Sequence, residues 1–477
     1  MVKGGTPMTE YIENRTFDEI KIGDRASLTR TLTKSDIELF AVMSGDVNPA
    51  HLDEEYARSD IFHKIIAHGM WGGALISTVL GTMLPGPGTI YLSQTLRFRR
   101  PVAIGDTITV AVTVTAKDAE KRRVTLDCQC TNQHGEVVIS GSAEVLAPTE
   151  KVKRQRVSLP EVLLHKPGAN YEAVIQRASM LGTVRAAVVF PAEPAALHGI
   201  IEATHANLID PIIIGPEAPL RRVAETLDIN LSAFRLEPTT DGRAAAARAV
   251  ALARAGTVEA IVDPGVRYYG LLHELVARDT GIADHRRMSH IYAMDVPNYP
   301  RLLLITDAGM NTDPTLEEKR AIVQNAIDLA LALGIEQPKV AILAAVETIS
   351  PKLRSTLDAA ALCKMVDRGQ IVGGIVDGPL AFENAVSPEA ARRAKLTSLV
   401  AGQADILVAP DLEAGTMLVQ QLDHLANAQS AGIIVGGRVP VALPEPSGNP
   451  QSVLAACAMA VLVARNGTER QDDGMMG

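Results

Sequence analysis

The stretch Phe40-Ala41-Val42-Met43-Ser44-Gly45-Asp46-Val47-Asn48-Pro49-Ala50-His51 decides the reading of the first third of this chain. It sets a carboxylate and an imidazole on either side of a turn. Upstream, Thr33-Lys34-Ser35-Asp36 has capping-box form, and Ile37, Phe40, Val42 and Met43 follow at roughly helical spacing. Gly45 suits a helix stop in the left-handed region. Asn48 precedes Pro49 and is therefore biased toward extended geometry. The turn presents Asp46 and His51 at the mouth of the element, where an acid/base pair can grip one water.

Working outward, His68 to Leu84 reads as a long apolar helix rich in small residues. Strands are predicted over Thr89 to Phe98, Thr107 to Thr115, Val124 to Cys130 and Glu136 to Leu146. Turn signals at Gly105-Asp106 and Asn132-Gln133-His134-Gly135 separate them. Strands in sequence joined by turns imply an antiparallel sheet. A sheet curled round one apolar helix is a hot-dog fold. Ala147 to Pro160, with Lys151, Lys153, Arg154 and Arg156, reads as a solvated linker, so the domains are drawn at 1–148 and 169–477 with a connector at 149–168.

After Tyr171 the rhythm changes. Short apolar runs at Ala186 to Phe190, Ile209 to Gly215, Ala260 to Val262, Arg301 to Ile305, Lys339 to Leu343, Ile371 to Val376, Ala404 to Val408 and Gly432 to Gly436 alternate with alanine-rich helical patterns. Arg243 to Arg254 and Leu316 to Leu333 are examples. This is the signature of an α/β domain with a mostly parallel sheet covered on both faces.

With 477 residues, two or three domains are expected. Apolar residues at 47% and charged residues at 21% make a globular chain, and only 3% aromatics leave the cores to Ala, Val, Ile and Leu. A net charge of −9 gives no global pull toward nucleic acid. No run reaches bilayer length and no apolar signal core opens the chain, so a cytoplasmic protein without membrane contact is expected. Four cysteines do not make a disulfide scaffold. Cys128 and Cys130 fall on one strand face, as buried thiols rather than metal ligands. No metal and no permanently bound cofactor is expected.

Each candidate residue has a plain structural reading as well. Asp46 suits an Asx turn, His51 a satisfied histidine, Ser77 helix packing, and Gly69 close approach of helix and sheet. The functional reading is water addition to an alkene conjugated to a thioester. A base takes a proton from water, an acid delivers one to the α-carbon, and fixed donors hold the enolate-like oxygen. Asp46 and His51 supply the first two, and the amides opening the helix at His68-Gly69-Met70 supply the third. Ser77, two turns on, is placed to reach toward Asp46.

Ser44 to His51 followed by Ala57, then His68-Gly69-Met70 through Ser77, then Pro85 to Gln94, resemble MaoC-like (R)-specific enoyl-CoA hydratases over about Arg15 to Pro148. The resemblance implies Asp46 and His51 as the dyad, Ser77 as a supporting hydrogen-bonding residue and the Gly69 amide as oxyanion donor. It also implies a hot-dog dimer with coenzyme A at the subunit interface.

In open parallel sheets, ligands bind beyond the carboxyl ends of strands. Thr306-Asp307, Val376-Asp377-Gly378 and Val408-Ala409-Pro410-Asp411 read as such ends. Asp411 is best taken as a helix cap, and Asp307 and Asp377 are open to either reading. Ser289-His290, Thr306 to Asn311, Glu318-Lys319, Gln324-Asn325-Ala326, Pro338 to Ala341, Asp377 to Leu380 and Gly402 to Asp405 resemble the phosphate acetyl/butyryltransferase family over Tyr171 to Arg465. That resemblance implies Ser289, His290, Asp307, Asn311, Asp377 and Gly378 as coenzyme A contacts.

The chain departs from that family's pattern at Ala414 to Gln420, where an Asn and a Lys are usual. It departs again at Val441 to Gly448, where Glu445, Pro446 and Ser447 stand for a Ser-Arg pair, and at Val262-Asp263-Pro264-Gly265, where relatives show Lys-Gly. Phosphoryl recognition depends on cationic donors. The expectation is therefore a hydratase acting on acyl-CoA, forming a homo-oligomer, with a second domain degenerate as a transferase and kept for assembly or coenzyme A binding. Arg286 and Arg287 could substitute for the missing cation, but they read better as a solvated face. Two alternatives stay open: both activities are present, or the second domain is an acyl-CoA sensor or scaffold. A thioesterase reading of the first domain is disfavoured by the Asp-x-Asn-Pro-x-His turn.

Overall fold

Thr33 starts the first long helix by the box its sequence spells. Its hydroxyl accepts the Asp36 amide and the Asp36 carboxylate accepts the Thr33 amide. Gly45 ends that helix in the left-handed region at φ 75°. The protein is described by a computed structural model covering residues 11–159, 162, 164, 166, 168–265, 269–284, 286–444 and 449–473. It divides into two units, Met1–Leu164 and His165–Gly477.

The first unit runs β1 (Tyr11–Glu13), β2 (Arg25–Thr31), α1 (Lys34–Ser44), α2 (Pro49–Leu52), α3 (Glu54–Ser59), α4 (Gly69–Thr82), β3 (Ile90–Phe98), β4 (Thr107–Asp118), β5 (Arg123–Thr131), β6 (Val137–Leu146) and β7 (Lys153–Gln155). Five strands form an antiparallel sheet in the order β2-β4-β5-β6-β3. The strand β2 and the short helices α2 and α3 were not anticipated. Their apolar patterns are short, and β2 shows Leu28 to the core between exposed threonines and arginines. Part of the expected linker is a strand as well: Lys153–Gln155 pairs with Tyr11–Glu13.

Helix α4 buries Trp71, Leu75, Ile76, Val79 and Leu80 against Val110, Val112, Leu126, Cys128, Cys130 and Val145 of the sheet. Burial of each large side chain contributes roughly 1.5–3 kcal/mol. The sheet does not enclose the helix on all sides: Met70, Ala74, Ser77 and Thr78 are exposed, as are Ile90, Tyr91 and Leu92 of β3. The four cysteines are free thiols, and burial pushes the Cys128 thiol up to about 11.

The second unit is built on an eleven-stranded sheet. Val184–Val189, Ile209–Gly215, Arg235–Pro238 and Ala260–Val262 pair in parallel, and Val441–Pro444 joins them in parallel beside Ala260–Val262. Leu303–Thr306, Lys339–Leu343, Ile375–Leu380 and Ile406–Val408 make a second parallel set. Two strands join the sets with antiparallel partners on both sides, Ser289–Asp295 and Gln429–Val435. The sheet is thus mostly parallel, with the direction changing at its centre. Helix Pro450–Asp473 lies against strands Gln429–Val435 and Val441–Pro444, and its Ala455 to Leu462 are fully buried among their apolar side chains. Among the described residues no helix is long and apolar enough to cross a membrane.

Gly141 on β6 lies tight against β3. A Cβ there would lie 1.8 Å from the Thr95 carbonyl oxygen and 2.8 Å from its carbon. The obstacle is the Thr95–Leu96 main chain, with no flexible side-chain end to move aside. Gly141→Ala is expected to destabilise the first unit by roughly 3 kcal/mol or more, read as a lowered unfolding midpoint in urea.

Candidate functional site

Two short segments bring the site of the first unit together: the turn from α1 into α2, and the entry into α4. Asn48 caps α2 by accepting the Ala50 amide at 3.1 Å, and Pro49 takes the first helical position. His51 then sits on the last turn of this four-residue helix, half-buried. Asp46 lies exposed on the turn, its Oδ1 accepting the Asn48 amide at 3.2 Å. The Asx-turn and functional readings of Asp46 are therefore compatible, because one carboxylate oxygen makes the turn.

The Nδ1 of His51 lies 2.8 Å from the Ile66 carbonyl oxygen. A carbonyl only accepts, so this nitrogen carries the proton and Nε2 of the neutral ring keeps its lone pair. His68, buried, places its ring 3.9 Å from that of His51 and its Nε2 3.0 Å from the Asp46 carbonyl oxygen. One ligand-type atom from each of Asp46, His51 and His68 lies within 4.8 Å of the others. His68 commits its Nε2 proton to the Asp46 carbonyl and buries Nδ1, so it offers no lone pair to a cation there. The same spacing suits a single water, because two hydrogen bonds of ~2.8 Å at a tetrahedral oxygen span about 4.5 Å.

Beside this group lies a cavity of about 300 Å³, lined by His51, His68, Gly69, Trp71, Phe98 and Val102 among others. Gly69 is the first residue of α4, and no side chain caps that terminus. The space at Gly69 is also needed for packing, since a Cβ would meet the Phe98 ring at 2.9 Å. Ser77 is exposed on α4, and no hydrogen bond joins it to Asp46 among the described residues. His68 was missed as a site residue. Its only sequence signal was its place immediately before Gly69.

In the second unit, Ser289, His290, Asp307 and Asn311 come together. Strand Ser289–Asp295 runs antiparallel to Leu303–Thr306, so the start of one meets the end of the other. Asp307 accepts the Gly309 and Met310 amides at 2.9 Å, the His290 amide at 3.2 Å, and the Asn311 side-chain amide. Asn325 donates to the Ser289 hydroxyl at 2.9 Å. His290 is fully buried, and neither ring nitrogen has a hydrogen-bond partner. Burial pulls its imidazole down to about 4, the Asp307 carboxylate opposing. Gly309 and Gly432 flank the ring, where Cβ atoms would stand 2.2 Å from Nδ1 and 2.6 Å from Nε2.

Asp377 and Gly378 do not join this group. The strand expected over Ile371 to Val376 instead spans Ile375–Leu380, because Gly373 turns the chain at φ 89°. Asp377 is thus inside a strand, not past its end. Two strands separate it from Leu303–Thr306, on the order of 14 Å at ordinary strand spacing. Asp411 caps helix Leu412–Ala426 through the Ala414 amide at 2.9 Å. Arg287 donates to Asn311 at 2.6 Å and pairs with Glu318 at 3.2 Å, and Arg286 pairs with Asp328, so both guanidinium groups are already engaged.

The family described as phosphate acetyl/butaryl transferase matches residues 243–461, and that described as MaoC like domain matches residues 19–134. The phosphate acetyltransferase of Rhizobium meliloti is 46% identical over 296 residues, 62% of this chain and 94% of that enzyme. The chain belongs, through its second unit, to the phosphate acetyl/butyryltransferase family. A branched-chain phosphotransacylase from Enterococcus faecalis V583 is 26% identical to this transferase unit, covering 59% of this chain and 99% of its own, with a TM-score of 0.52. R-hydratase PhaJ1 from Pseudomonas aeruginosa, in the unliganded form, is 45% identical over 32% of this chain and 99% of its own, with a TM-score of 0.32.

This degree of identity corrects the expectation that the transferase unit is degenerate. That expectation leaned on the departures at Ala414 to Gln420, Val262 to Gly265 and Val441 to Gly448, of which Glu445, Pro446, Ser447 and Gly448 lie outside the described residues. Three local departures weigh less than 46% identity over 94% of the Rhizobium meliloti enzyme.

Asp263, at the end of Ala260–Val262, is buried, and burial pushes its carboxyl up to about 7 against the single Gly265 amide it accepts. The unfolded carboxyl ionises near 4, so between about pH 4 and 7 the native state holds the extra proton. Its contribution to stability is complete below about pH 4 and lost as pH rises through 7. Asp263→Asn should therefore gain stability relative to the parent between pH 5 and pH 8, on the order of 2–3 kcal/mol, in paired urea titrations.

Proposed function

We propose that the first unit hydrates trans-2-enoyl-CoA reversibly to (3R)-3-hydroxyacyl-CoA. The observation carrying this reading is the 4.8 Å grouping of Asp46, His51 and His68 beside an apolar cavity opened by a helix N-terminus. His51 Nε2 accepts a proton as the water oxygen bonds to the β-carbon. The alkene π pair moves toward the thioester oxygen, where the Gly69 amide and the α4 terminus stabilise the developing charge. A proton from the Asp46–His51 pair then reaches the α-carbon. The apolar walls of the cavity suit an acyl chain and keep other waters from the enolate.

We read the second unit as an active phosphate acyltransferase that exchanges an acyl group between coenzyme A and phosphate. Its support is the 46% identity to the Rhizobium meliloti phosphate acetyltransferase over 94% of that enzyme's length. The exposed apolar residues Ile90, Tyr91 and Leu92 at the start of β3 are the face we assign to a second copy of the chain. A monomeric mass by sedimentation at micromolar concentration would remove that assignment.

With crotonyl-CoA as substrate, Asp46→Asn and His51→Ala are each expected to lower kcat at least 100-fold with KM changed less than fivefold. Unchanged turnover in either variant removes the dyad. Phosphate-dependent release of coenzyme A from acetyl-CoA or butyryl-CoA should survive in both, because the second unit retains its own residues. No acyl phosphate at high enzyme concentration would remove the transferase reading.

A further inference from the structure

Resting on the hydration reading above, we propose that His68 is a positioning residue, which holds Asp46 by its ring N–H and His51 by its ring face. The other hydrogen bonds at Asp46 are local. Ser44 Oγ accepts the Asp46 amide at 3.2 Å and Asp46 Oδ1 accepts the Asn48 amide at 3.2 Å. Both close turns of two residues and move with the turn. Among the described residues, the His68 Nε2 contact at 3.0 Å to the Asp46 carbonyl is the hydrogen bond that ties this exposed turn to a distant element.

The same ring backs His51, with centroids 3.9 Å apart and planes tilted by 36°. Phe40 of α1 closes its surroundings at 5.0 Å. His68 itself is 3% exposed. It occupies the cap position of α4, where Ser, Thr, Asp or Asn is usual, and its side chain caps nothing. The residue thus forgoes the ordinary task of its position and spends its ring on the turn 22 residues earlier.

The ring's chemistry follows from its partner. A carbonyl oxygen accepts, so Nε2 carries the proton and Nδ1 is a bare lone pair. Nδ1 is buried and has no hydrogen-bond partner. His51 has the opposite tautomer, protonated at Nδ1 by its bond to Ile66. Two adjacent, tilted imidazoles of opposite tautomer fix where the Asp46 turn and the His51 lone pair stand. The main chain of His68 then continues directly into Gly69, so the acid, the base and the oxyanion donor share one reference point. A displacement of about 1 Å at such a site is enough to cost on the order of 100-fold in rate.

The test uses the full chain and crotonyl-CoA. His68→Phe keeps a ring against His51 and removes the N–H. His68→Gln keeps an N–H at nearly the position of Nε2. His68→Phe is expected to lower kcat 10- to 100-fold with KM within twofold, and His68→Gln to recover to within about fivefold of the parent. Parental kcat in His68→Phe overturns the proposal, as does an equal loss in both variants with unfolding midpoints at the parental value. Imidazole nitrogen NMR on the unmutated chain tests the same point without turnover, should either variant fail to fold. It should find His68 protonated at Nε2 and bare at Nδ1, and the reverse tautomer ends the proposal. Absence of hydration by the unmutated chain would fail the activity reading, while the tautomer measurement would still decide whether His68 holds the Asp46 carbonyl.

Discussion

The bond from His51 Nδ1 to the Ile66 carbonyl is the constraint on which the first unit's chemistry depends. An imidazole can donate from one nitrogen and accept at the other only if something decides which is which. Here a main-chain oxygen decides, and it is fixed because its neighbour Ala67 is itself held by the Val102 carbonyl at 2.8 Å. The segment between β3 and β4 therefore sets the protonation pattern of a residue on α2. A buried helix start behind it completes the frame, since Trp71 and Leu75 cannot shift without emptying the core.

The second unit solves a different problem. Two parallel sets of strands run in opposite directions, and two strands with antiparallel neighbours on both sides join them into one sheet. At that junction a strand start and a strand end lie side by side, which is why Ser289 and His290 meet Asp307 although the sequence separates them. Asp307 then spends its lone pairs on three amides and a side-chain amide, so the tight turn after Thr306 is held by one carboxylate. Such a group is a scaffold for whatever binds nearby rather than a free acid.

Most of the architecture was legible because its signals are local. The Thr33 box, the Gly45 stop, strand alternation over Thr107 to Cys130 and the apolar run of α4 each depend on neighbours a few residues away. What escaped is non-local. Strand Arg25–Thr31 has a weak pattern and owes its pairing to β4. Lys153–Gln155 is polar, fully exposed, and a strand only because Tyr11–Glu13 lies beside it. Strand Val441–Pro444 is four residues long, ends in a proline and owes its place to Ala260–Val262 and Gln429–Val435 on either side. In the proposed site, Asp46, His51 and Gly69 were named from the sequence, and the structure brings Asp46 and His51 together beside the start of α4. His68 was not, because a histidine before a helix has no pattern of its own, and its role comes from where its ring reaches. Asp377 failed for the opposite reason: a plausible strand end moved when Gly373 turned the chain.

The ring of His290, enclosed by Gly309 and Gly432, has a consequence for how this chain can diverge. Any side chain at either glycine needs the volume the imidazole already fills, and a smaller residue at 290 leaves a void. Position 309 opens only where residue 290 has become smaller, because only that ring stands in its way. Gly432 stays closed on either background, since a Cβ there would also meet the Leu443 carbonyl oxygen at 2.7 Å.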